Sequence, residues 1–113
     1  MDKVAKYRSF IKKILHRHAG PDSFPKEEYE SQVVIDDEHG HYFLVGVGWE
    51  NLRRIDGISI HVDLKGDKIW IQTDWTEPGV AELLEEMGVP KSDIVLGFHA
   101  PYRRKMIKEY APG

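Results

Sequence analysis

ISIHVDLKGDKIWIQTD, residues 58–74, decides how this chain folds. Two alternating runs flank Gly66-Asp67, and glycine at the first central position of a two-residue loop signals a type II′ hairpin. That turn sets Leu64 opposite Ile69, Val62 opposite Ile71 and Ile60 opposite Thr73. Successive side chains point to opposite sides of a strand, so these pairs share one apolar face. The other face receives Asp63 with Trp70, His61 with Gln72 and Ser59 with Asp74. The first face reads as core, the second as a covered polar layer or a working surface.

Upstream, HYFLVGVGWE (41–50) puts Phe43, Val45, Val47 and Trp49 on one side. Gly46 and Gly48 lie on the other, where missing side chains invite close approach by another element, read here as a packed helix. Glu50-Asn51 turns the chain into a strand from Arg53 to Leu64, with a bulge or kink at Asp56-Gly57. A further alternating run begins at Tyr29 and ends at the polar turn Asp37-Glu38-His39-Gly40. Four strands joined this briefly form an antiparallel meander.

Val4, Tyr7, Ile11, Ile14, Leu15 and His18 recur at helical steps, which predicts an amphipathic helix over 3–19 with Asp2 as N-cap and Gly20-Pro21 as stop. PDSFP (21–25) connects it to the sheet. Beyond the hairpin, Thr76 is expected to cap a second helix with Glu77 and Pro78 in its first turn. Val80, Leu83, Leu84 and Met87 form its stripe, and Gly88 ends it. IVLGF (94–98) reads as a short strand, followed by a basic tail. The fold class is α+β: an N-terminal amphipathic helix, a four-stranded antiparallel meander, a second helix and a short C-terminal strand and tail. All belong to one domain, residues 1–113.

At 113 residues with 41% hydrophobic and 31% charged content, the chain can bury one core without disulfide or metal support. It has no cysteine, so disulfides, thiol nucleophiles and thiolate metal sites are excluded. No stretch has the length of a membrane span or the apolar region of a signal peptide, so a cytoplasmic protein without a membrane partner is expected. The net charge of −3 conceals a segregation. Residues 1–20 carry six Lys or Arg against Asp2, and residues 101–113 carry four against Glu109, leaving the middle strongly acidic. The basic ends can pair with that middle. Alternatively, Lys12, Lys13, Arg17, Arg103 and Arg104 can contact nucleic acid.

His61 and Asp63 share a strand face, with Gln72 and Asp74 across from them. A histidine with two carboxylates suits a divalent cation or acid–base work, so one reading is a metal-dependent enzyme at His61, Asp63 and Asp74. The simpler reading is a hydrogen-bonded polar layer beneath a helix, with no catalytic residue, metal or cofactor. His39 and His41 flank a turn glycine and need a third ligand to hold a metal. Three tryptophans, Trp49, Trp70 and Trp75, fill core edges or, where exposed, mark an interface.

YRSFIKKIL, VGWENLRRIDG and the long block ISIHVDLKGDKIWIQTDWTEPGVAELLEEMGVPKSDIVLGFHAP together resemble the XisI family, the fdxN-element excision controlling factors. The resemblance runs in order over nearly the whole chain. It implies a small cyanobacterial α+β regulatory protein acting in a DNA rearrangement whose recombination belongs to a separate enzyme. It also implies an endonuclease-fold companion, XisH, as protein partner, with DNA reached through a recombination complex; homodimer formation is compatible with it. His61, Trp70, Gln72, Asp74, Thr76, Glu77 and His99 match the family's recurring blocks. The ending PYRRKMIKEYAPG departs from the family's usual uncharged finish. The interaction surface expected from these readings comprises Trp49, His61, Asp63, Trp70, Gln72, Asp74, Trp75 and His99.

Overall fold

The computed structural model describes residues 2–20 and 28–113. The PDSFP connection lies outside the described residues. The chain begins with helix α1 (Lys3–Ala19), whose N-terminus is capped by Asp2 accepting the Ala5 N–H at 2.8 Å. Strands β1 (Glu28–Asp36), β2 (His41–Glu50), β3 (Arg53–Lys65) and β4 (Lys68–Asp74) follow as an antiparallel meander. Helix α2 (Val80–Glu86) and a single 3-10 turn lead into β5 (Ile94–Leu96). This strand joins β4 in parallel and gives a mixed sheet ordered β1-β2-β3-β4-β5. The tail is ordered: it contains a third helix, α3 (Pro101–Met106), and Ala111 donates its N–H to the Ile94 carbonyl at 2.9 Å, running beside the β5 edge.

Both helices α1 and α2 cover one face of the sheet. Tyr7, Ile11, Ile14 and Leu15 from α1 and Val80, Leu83 and Leu84 from α2 are buried against Tyr42, Leu44, Ile60, Val62, Ile69 and Ile71. Removing these apolar surfaces from water is the main stabilising term, about 1.5–3 kcal/mol for each fully buried large side chain. The turn at Gly66 has φ +61° and pairs Lys65 with Lys68, as a II′ hairpin requires. Helix α2 ends in a Schellman motif. Gly88 (φ +98°) donates to the Glu85 carbonyl and Val89 to that of Leu84, each at 3.0 Å.

The expected hairpin register holds from the turn to Val62–Ile71 and then shifts. Gln72 is an extra residue on β4, so His61 pairs with Thr73 and Ile60 with Asp74. A second bulge lies at Ser59 on β3, between the pairs Leu44–Ile60 and Val45–Ile58. Asp56-Gly57, expected to bulge, stays in regular pairing with Val47 and Gly46. The element approaching Gly48 is a strand: a Cβ there would lie 2.2 Å from the Glu28 carbonyl oxygen of β1.

Thr76 does not cap α2. The helix begins at Val80, after Gly79, and the Val80 N–H donates to the Asp74 carboxylate at 2.7 Å. That carboxylate also accepts the backbone N–H and hydroxyl of Thr76, which fixes the connecting loop.

Candidate functional site

Directly paired residues share a sheet face, so the register assigns the face opposite α1 and α2. It carries His41, Phe43, Val45, Val47 and Trp49 from β2, with Asp63, His61, Ile58, Asp56 and Arg54 facing them from β3. Trp70 lies across from Asp63. Two features stand out on this face.

The first is polar. Asp63 is only 7% exposed. Its Oδ1 lies 2.8 Å from His41 Nδ1 and 2.9 Å from His61 Nε2, while its Oδ2 accepts the Gln72 amide at 3.1 Å. Burial pushes the Asp63 carboxyl up, but the hydrogen bonds from His41, His61 and Gln72 outweigh it and hold the group below the ordinary carboxylate range. Phe43 stacks on His61 with ring centroids 4.3 Å apart. The expected polar layer therefore exists, but α1 and α2 lie on the other side of the sheet, and His41 leaves it open to solvent.

The second is apolar. Phe43, Val45, Val47 and Trp49 run down β2, and Val34 (45% exposed) and Ile58 (44%) flank them on the neighbouring strands. Trp49 is 47% exposed, with Arg54 over its ring at 5.6 Å. Glu28, Glu30 and Asp56 border the column.

The expected interaction residues do not all meet. Trp49, His61, Asp63, Trp70 and Gln72 share the open face, but Asp74 does not: opposite the buried Ile60, it belongs to the helix-bearing face and caps α2. This removes it from any triad with His61 and Asp63. Trp70 is covered, with Lys65 and Arg104 over its ring at 4.3 and 5.0 Å and Gly113 against its edge. Trp75, 83% exposed, lines a depression of about 490 Å³ with Tyr29, Ser31, Gly46 and Gly57 on the helix side of the sheet. His99 lies in the loop before α3, where its carbonyl accepts from Arg104 at 3.2 Å. The expected interaction surface omitted Val34, Ile58 and His41, the last weighed only with His39 at the turn, because their places depend on the β2 pairings.

Among the expected nucleic-acid contacts, Lys12 is paired with Asp37 at 2.7 Å. Arg104 is held by the Pro112 and His99 carbonyls. Lys13, Arg17 and Arg103 are exposed. Internal pairing also takes up Lys3, which meets the buried Asp93 at 2.8 Å. Among the described residues, no helix is long and apolar enough to cross a membrane.

The XisI protein family model matches residues 1–111. The crystal structure of a XisI-like protein from Anabaena variabilis is 42% identical, with a TM-score of 0.85 over 96% of this chain and 97% of that one. The fdxN element excision controlling factor XisI from the same organism is 28% identical, with a TM-score of 0.82 over 99% and 100%. No curated protein matches the chain.

Proposed function

Because this chain belongs to the XisI family, we propose that it is a regulatory protein of DNA-element excision that works without catalysis, by docking an XisH-like companion on the open face of its sheet. The observation that carries this reading is the β2 column, Phe43 to Trp49, flanked by Val34 and Ile58 and left uncovered by α1 and α2. An apolar centre with a charged border is the arrangement of a protein interface. The border is mainly acidic, at Glu28, Glu30 and Asp56, and suits a partner with basic groups around an apolar patch. Two hydroxyls near this region have structural tasks: Ser59 donates to the Leu44 carbonyl and Thr76 to the Asp74 carboxylate.

Co-expression with the XisH-like companion tests the proposal. A complex that survives purification at micromolar concentration is expected; two proteins that elute separately would refute it. A second reading is direct DNA contact through α1, where Arg8, Lys12, Lys13, His16 and Arg17 border one solvent-facing depression. It requires affinity that falls steeply as salt is raised, and salt-insensitive binding removes it.

A further inference from the structure

We propose that His41, His61 and Asp63 form a binding site for a divalent transition-metal ion. This inference is independent of the docking reading, and it departs from the expectation of no metal drawn from the sequence.

The chain treats its two buried carboxylates differently. Asp93 has permanent cations against it, Lys3 at 2.8 Å and Lys68 at 3.0 Å, and a hydrogen bond from Tyr7. Asp63 is nearly as well buried, yet among the described residues no Lys or Arg pairs with it. Buried charges are normally paired or coordinate metals. Asp63 instead meets two imidazoles and an amide, the groups that accompany a bound cation.

The donor chemistry fits. Two imidazole nitrogens and one carboxylate oxygen, all within 4.8 Å of one another, are the protein ligands of open zinc sites and of related transition-metal centres. The His–Asp separations of 2.8 and 2.9 Å are those of hydrogen bonds. Metal–ligand bonds of about 2.0–2.2 Å need each imidazole nitrogen to move roughly half an ångström away from the Asp63 oxygen. Each ring now directs an N–H at Asp63. To bind a metal, a neutral ring moves that proton to its other nitrogen and turns the freed lone pair to the ion, whereas a protonated ring releases one proton to solvent. Gln72 orients the carboxylate through its second oxygen, and Phe43 steadies the His61 ring. Such supporting contacts are what metal ligands require. All three ligands come from paired strands, and the half-exposed His41 leaves one side accessible to a further ligand.

Titration of the untagged 113-residue chain with Co(II), followed by visible absorption, and with Zn(II), followed by calorimetry, tests the site. Saturable one-to-one binding is expected, weakened at least about tenfold by H41A and by H61A, and about 10–100-fold by Q72A. H39A should bind as the wild type does, since His39 bonds Asp36 instead. His41 is half-exposed, so H41A is expected to stay folded in chelator, melting somewhat lower for the lost bond to Asp63, and carries the test even if H61A folds poorly. Absence of saturable uptake at micromolar metal, or uptake unchanged in folded H41A, would overturn the proposal.

Discussion

Asp74 stands opposite Ile60 and accepts the Val80 N–H at 2.7 Å, so the last residue of β4 satisfies the first donor of α2, in place of a side-chain bond from its N-cap residue Gly79. The bulge at Gln72 makes this geometry. Without it, Asp74 would face Ser59 on the open side, and α2 would begin with an orphan donor. Replacing Asp74 with Ala should cost about 1 kcal/mol, as loss of a helix cap does. Urea denaturation measures the loss, and an unchanged midpoint would refute the capping role.

Asp93 ties α1 to the sheet through Lys3, Tyr7 and Lys68. Burial raises its pKa, but hydrogen bonds from Lys3, Tyr7 and Lys68 prevail and bring it from 3.8 to about 2. A carboxyl depressed in the folded state contributes stability above its unfolded pKa and loses it as the pH falls through the folded value. D93N should therefore be less stable than the wild type by about 2 kcal/mol at pH 7. The gap should close between about pH 4 and pH 2. Denaturation midpoints across this range provide the check; a gap independent of pH would refute it.

Gly48 and Gly57 make a matched pair. Gly48 has φ +142° and its Cβ position collides with β1 backbone, whereas a Cβ at Gly57 meets nothing within 4 Å. G48A should destabilise by more than about 1 kcal/mol, while G57A should be neutral or stabilising by up to about 1 kcal/mol. Thermal melts of the two variants give the answer directly. Equal effects would contradict the close approach of β1.

Arg104 pins the tail. Its guanidinium lies 5.0 Å from the Trp70 ring centroid and donates to the Pro112 and His99 carbonyls. R104A should lose about 1 kcal/mol and speed amide exchange at Ala111, whose N–H bonds Ile94. Unchanged exchange at that amide would show that the bridge to β5 holds the tail alone.

Alternation exposed the fold where it is regular. The period-two pattern around Gly66 gave the hairpin, its turn type and its core side, and the helical stripe gave α1. A bulge adds one residue without disturbing that pattern, so neither Gln72 nor Ser59 declared itself in the sequence. Their consequences reach the candidate site. An unbulged hairpin continuing the pair Glu50–Arg53 would set His41 opposite Val62; the extra residue at Ser59 brings it opposite Asp63. The metal-ligand cluster thus depends on a long-range register that no local motif encodes. Gly48 did signal a close approach, but a missing side chain does not say whether a helix or a strand arrives. The parallel pairing of β5 is likewise a three-residue contact between distant segments.

Affinity of the XisH-like companion for the wild-type protein and for I58E, measured by titration calorimetry, tests the docking face most directly. Ile58 lies beside Val45 on the open face and is 44% exposed, so a carboxylate there should leave the monomer folded. The account predicts a tight wild-type complex and a loss of at least about 2 kcal/mol in I58E, as for a charge placed in an interface centre. Equal affinity for the two proteins would contradict it.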